Sequence, residues 1–134
     1  MANEAVIVEL LGDRGDVIQY TCADGTLIPK GTLLEMEDNR TVKAMSATDK
    51  PIAGIAAMEK VASDGSTTIS VYTNGIFNMN CGTTNCTFGT EVTAEGAGNS
   101  VKEADTADME TGDVLGYAME SATSGQSVQI KVKK

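Results

Sequence analysis

Three cysteines and nineteen acidic residues are the main stock of reactive side chains in this sequence, which contains no histidine. Cys81 and Cys86 flank the segment Gly-Thr-Thr-Asn, a spacing that suits a local disulfide across a hairpin or one half of a thiolate metal site. Zinc needs four soft ligands, and Cys22 is the sole further candidate. An odd cysteine count without a visible export signal argues against a disulfide framework. Buried thiols are the expected state, with a local Cys81–Cys86 disulfide as the second reading. Without histidine, the commonest acid–base group and every Ser–His or Cys–His nucleophile pair are missing. A carboxylate pair is the remaining route to acid–base chemistry. The carboxylates, however, fall in turns and at polar strand positions: Glu35, Glu37, Asp38, Asp49, Glu59, Asp64, Glu95, Asp105, Asp108, Glu110 and Asp113. That is the distribution of a solvated acidic surface.

Phosphate and calcium signatures fare no better. The glycine-rich segment Gly96–Ser100 has neither a following lysine nor a helix and reads as a turn. The acidic stretches around Asp38 and Asp105 do not match EF-hand ligand spacing. No catalytic residue, cofactor, metal or small-molecule substrate is expected. Ten basic residues against the nineteen acidic ones give a net charge of −9, a field that repels nucleic-acid backbones. The one basic cluster, Lys131, Lys133 and Lys134, reads as the polar face of an alternating strand. No apolar run approaches the ~18 residues that span a bilayer, and the start lacks the basic-then-apolar pattern of a signal peptide. Neither nucleic acid nor membrane is an expected partner, and synthesis in a cytoplasm is the expectation.

The elements that would carry these residues are strands. Period-two alternation marks 4–11, 17–22, 32–36, 52–57, 68–73, 75–80, 91–94, 114–119 and 127–133, with Asp-Gly, Asn-Gly and Ser-Gly turns between them. Segment 103–111 has the makings of one short helix. With 134 residues, 41% hydrophobic but only 4% aromatic, the chain suits one compact domain with a core of small aliphatic side chains. A degenerate internal repeat organises it. Val17–Cys22 lies over Ile76–Cys81, the block around Gly31 over that around Gly89, and Thr41–Ala44 over Ser100–Glu103. Segments 52–59 and 114–121 match next, then 64–73 and 124–133, with the offset drifting only from 58 to 62 residues. The expected fold is an all-β, compact barrel- or sandwich-like single domain of two repeats, with at most a short helix. Its halves are placed at about 16–74 and 75–134 and are expected to share one core with approximate two-fold symmetry. Residues 1–15 stand outside the repeat as an extra strand or as an arm that pairs with a neighbour's sheet edge.

Four segments in succession, "GTLLEM", "KPIAGIAAMEKVASDGSTTISVYTNGIFNM", "FGTEVTAEG" and "GDVLGYAMESATSGQSVQIKVK", resemble the capsid decoration, or cement, proteins of tailed bacteriophages. The resemblance runs from about Gly31 to the C-terminus through short glycine-centred motifs; the first thirty residues and the Cys81–Cys86 segment match less clearly. It implies a β-rich homotrimer on the exterior of an icosahedral virion, made in the host cytoplasm and clamping neighbouring major capsid subunits without chemistry. The element expected to augment a capsid sheet is the N-terminal stretch Ala2, Asn3, Glu4, Ala5, Val6, Ile7 and Val8. The competing class is a surface-exposed β binding or adhesion module for sugar or protein, against which the absence of tryptophan counts.

Overall fold

A computed structural model describes residues 4–11 and 16–134, and the chain is almost entirely β. Its strands are β1 (Val6–Glu9), β2 (Val17–Thr21), β3 (Leu33–Asp38), β4 (Thr41–Ala44), β5 (Ile52–Ala56) and β6 (Thr68–Tyr72). Then come β7 (Asn74–Cys81), β8 (Glu91–Ala94), β9 (Ser100–Glu103), β10 (Val114–Ala118) and β11 (Ser127–Lys133). The single helix among the described residues, α1 (Thr106–Thr111), lies between β9 and β10. Asp105 caps it, accepting from the Asp108 amide while the Asp108 carboxylate accepts from the Asp105 amide, and left-handed Gly112 ends it.

Each repeat closes its own five-stranded barrel. In the first the order is β2-β4-β3-β5-β6; in the second, β7-β9-β8-β10-β11 repeats it strand for strand. Both barrels shut on a parallel contact, Thr21 against Thr41 in one and Cys81 against Val101 in the other, while all other pairs are antiparallel. Backbone hydrogen bonds recur at equivalent places. Cys22 donates to Thr67 and Cys81 to Gln126; Gly31 donates to Ala56 and Gly89 to Ala118. The connection before β10 is three residues longer than the one before β5, and α1 occupies that longer connection.

The expected single shared core is therefore corrected. Cys22, Ile28, Leu34, Val42, Ala53, Ala56, Ile69 and Val71 fill the first barrel alone. A larger cluster fills the second barrel and continues to Leu33, Met45, Ile52, Ile55 and Tyr72 of the first. β3 and β5 supply both clusters, because one face lines their barrel and the other meets the second barrel. That double burial explains the unbroken apolar runs Leu33-Leu34 and Ile52–Ala56, which carry no polar face. The Tyr72 and Phe77 rings lie 5.7 Å apart within the larger cluster. At Gly54 and Gly116, equivalent positions in β5 and β10, a Cβ would collide with the carbonyl oxygen of Tyr72 and of Lys131 respectively. Only glycine allows strands to approach that closely.

β1 pairs antiparallel with β7 of its own chain, Val6 opposite Asn78 and Ile7 opposite Phe77. Ala5 continues this attachment by donating to the Gly31 carbonyl at 2.7 Å. Alternation puts Val6, Val8 and Leu10 on one face, but a bulge between Ile7 and Glu9 breaks it. As a result Val6 and Val8 are exposed, whereas Ile7 and Leu10 pack against the core.

Candidate functional site

The same end of each barrel is plugged by different chemistry. In the first barrel an isolated bridge pairs Ile28 with Lys60, and the Lys60 side chain is fully buried. Its ammonium donates to the Asp24 carbonyl at 3.0 Å, to Asp24 Oδ1 at 2.9 Å, to Asp64 Oδ1 at 2.7 Å and to the Val61 carbonyl. Burial acts to push this ammonium down, but the hydrogen bonds to Asp64 and Asp24 outweigh it and hold Lys60 above its ordinary value. Lys60 in turn, with the Ser66 amide, holds the Asp64 carboxyl below its ordinary range. Burial pushes the nearby Cys22 thiol up, with Lys60 opposing.

In the second barrel the equivalent bridge joins Cys86 to Ala122, so a methyl group stands where Lys60 would be. Two thiols fill the space. The Cys81 thiol reaches the Ala122 carbonyl at 3.9 Å. Burial, followed by its hydrogen bond with Cys81, pushes Cys86 up to about 12. All three cysteines are free and buried. At both ends the polar atoms that fill the barrel find partners within it.

The surface offers two other features. One is a cleft of about 410 Å³ where the β4–β5 connection meets α1, lined by Asp49, Pro51, Asp105, Ala107, Asp108 and Asp113. The other is a set of exposed apolar side chains. Val6 and Val8 project from β1, Val17 and Ile18 from β2, and Leu27, Met58, Val61, Phe88 and Met119 from the barrel ends. Phe88, at 69% exposure, is the most open of them.

β2 and β7 differ most clearly at their outer edges. On β7, β1 pairs with Ile76 and Asn78. The repeat equates those residues with Val17 and Gln19 on β2. Among the described residues no strand covers that stretch of β2; Arg40 Nε donates to the Gln19 carbonyl at 3.0 Å instead. β7 accordingly alternates buried and half-buried along its length, while β2 is exposed at every residue but Tyr20.

Of the N-terminal residues singled out from the sequence, Ala2 and Asn3 lie outside the described residues. Glu4 is half-buried and Ala5 is buried beside Gly31; Val6 and Val8 face out and Ile7 faces in. The open β2 edge, the Lys60 plug and the acidic cleft were not singled out from the sequence. The cleft unites aspartates far apart in the chain and carried no local signal.

Comparison with known proteins fits this architecture. Residues 12–134 match the phage cement protein family, and the chain belongs to that family, a class of virion-associated structural proteins of the phage head. In structure it is similar to the N-terminal base of the head fiber protein gp8.5 of bacteriophage phi29. The TM-score is 0.56 at 18% identity, covering 88% of this chain and 95% of that one. At that identity the likeness is one of fold. No curated protein matches the sequence significantly.

Proposed function

We propose that this protein binds the exterior of an icosahedral phage shell and bridges neighbouring major capsid subunits, acting by surface coverage and not by catalysis. The observation that carries this reading is the family match over nearly the whole chain. Its physical basis is additive burial. A standard interface of about 1,600 Å², repeated over a shell, raises the cost of separating subunits without any chemical step. The contact surface is assigned to β1 and β2. Val6, Val8, Val17 and Ile18 supply exposed apolar area, and β2 has an outer edge that no described strand covers. A homotrimer is the assembly that supports bridging best, since three copies of one edge engage three subunits around one axis.

Co-sedimentation of the full chain with its expanded, undecorated shells tests this. Wild type is expected to pellet with shells and to raise their rupture temperature. Val6→Lys with Val8→Lys, and separately Val17→Lys with Ile18→Lys, are expected to weaken binding at least tenfold while unfolding at the wild-type temperature, because these side chains face solvent. Wild-type protein that stays in the supernatant overturns the capsid reading. Undiminished pelleting of both double variants overturns the assigned surface. Light scattering of the free protein gives the oligomer, and a monomer both free and on shells removes the trimer.

A further inference from the structure

We propose that the cleft between the β4–β5 connection and α1 is a divalent-cation site, sized for calcium, formed by the carboxylates of Asp49, Asp108 and Asp113. One carboxylate oxygen from each of the three lies within 4.8 Å of the others, a spread that an ion with ligands at about 2.4 Å can bridge. Carboxylates alone, with no nitrogen or sulfur donor, suit a hard cation. The cleft, about 410 Å³, has room for the ion and the waters that would complete its shell.

Acidic clusters are common on a surface as acidic as this one, and Asp113 sets this cluster apart. It is 4% exposed, it lines the cleft, and among the described residues its carboxylate accepts no hydrogen bond and has no ion pair. Its oxygens reach the cleft with no described donor on them, which leaves them free to ligate a cation there. The Lys134 charge acts on Asp113, yet its ammonium is given to the Gly112 carbonyl at 3.0 Å. Asp105, the other carboxylate lining the cleft, is engaged in capping α1 and feels Lys102. Asp108 accepts from the Asp105 amide at 2.9 Å and lies close to Asp49 and Asp113, a crowding of carboxylates that a cation would relieve.

The ligands come from both barrels. Asp49 belongs to the first, whereas Asp108 in the first turn of α1 and Asp113 just past its end belong to the second. Asp49 and Asp108 are 59 residues apart, the offset that relates Val42 to Val101, so the repeat brings like positions face to face. A bound ion would tie the two barrels together at a point where carboxylates otherwise repel. Local spacing in the sequence could not reveal this set, because no single segment holds it.

The test uses the full chain stripped with EDTA and then given calcium or magnesium chloride alone. Calcium at a hundredfold excess over its dissociation constant is expected to raise the unfolding temperature by roughly 5 °C or more. Titration calorimetry is expected to show one ion per chain. Asp49→Asn, at an exposed position that does not endanger folding, is expected to weaken calcium binding at least tenfold, and Asp113→Asn to abolish it. Asp38→Asn, on the exposed end of β3, is expected to keep the full response. The proposal is overturned by no calcium heat and no shift in wild type, or by an equal response in Asp49→Asn. A larger shift with magnesium overturns the choice of calcium.

Discussion

The two barrels share one strand order, one closing contact and one pattern of turn hydrogen bonds, yet their ends are sealed by opposite means. The first encloses a charge, Lys60, satisfied by two carboxylates and two carbonyls. The second encloses a pair of thiols, Cys81 and Cys86, beside Ala122. The contrast separates what the topology demands from what it tolerates. Topology demands glycine where β5 meets β6 and where β10 meets β11, and the repeat keeps it at both places. The end of the barrel needs only to be filled and its polar groups satisfied. Two unrelated side-chain sets meet that need.

The largest expected effect tests the shared part. Gly54→Ala and Gly116→Ala each set a Cβ against a backbone carbonyl that cannot move alone. Each is expected to cost about 4 kcal/mol or more, read by urea unfolding. A mild effect in one barrel and a severe one in the other would show that the repeats are less alike than their hydrogen bonds indicate.

A smaller effect tests the difference. Lys60→Met leaves the carbonyls of Asp24 and Val61 without their donor and is expected to lower the unfolding temperature by about 10 °C. The acid dependence follows from direction. Asp64 is held below its ordinary 3.8, so its contribution is present above that value and is lost as pH falls through the lower, folded one. Lys60 is held above 10.5, so its contribution is present below that value and is lost as pH climbs past the higher, folded one. The gap between wild type and Lys60→Met, followed by calorimetry against pH, is therefore expected to be widest between about pH 4 and 10 and to shrink at both extremes. A gap that is constant with pH would mean that Lys60 acts through packing alone.

The smallest effect concerns the thiol plug. Cys86 is raised from 9.0 to about 12, so the neutral thiol is favoured and its contribution holds below pH 9 and fades above it. At pH 8 the folded chain is expected to resist iodoacetamide at Cys22 and Cys86, with labelling appearing only after unfolding. Rapid labelling of Cys86 in the native chain, with Cys22 still protected, would show that the second barrel opens more readily than the first.

The sequence made the strands and the repeat legible because turns and period-two runs are local properties. β8 and β11 fall at the residues their alternation indicates, and α1 occupies the latter part of the expected helical stretch. β4 and β9 matched each other as repeat blocks but showed no strand pattern of their own. Each has four residues with a single buried valine, Val42 or Val101, and becomes a strand through the partners that close the barrel. Two barrels instead of one core also escaped notice, since the doubly buried faces of β3 and β5 look like any apolar run. Lys60 reads as a surface lysine until Asp24 and Asp64 are brought to it from 36 residues before and four after. Of the residues assigned to capsid contact, Val6 and Val8 were legible as apolar positions in a strand. The open edge of β2 was not, because only the cover that β1 gives to β7 reveals what β2 lacks.

The junction between the repeats has one further consequence. β6 ends at Tyr72 and β7 begins at Asn74; the lone intervening residue, Thr73, accepts a hydrogen bond from the amide of Lys134. A connection that short leaves no slack for one barrel to swing against the other. Tension applied to either half passes straight along continuous backbone into its neighbour, so the pair bears load as one stiff unit with no play at the joint.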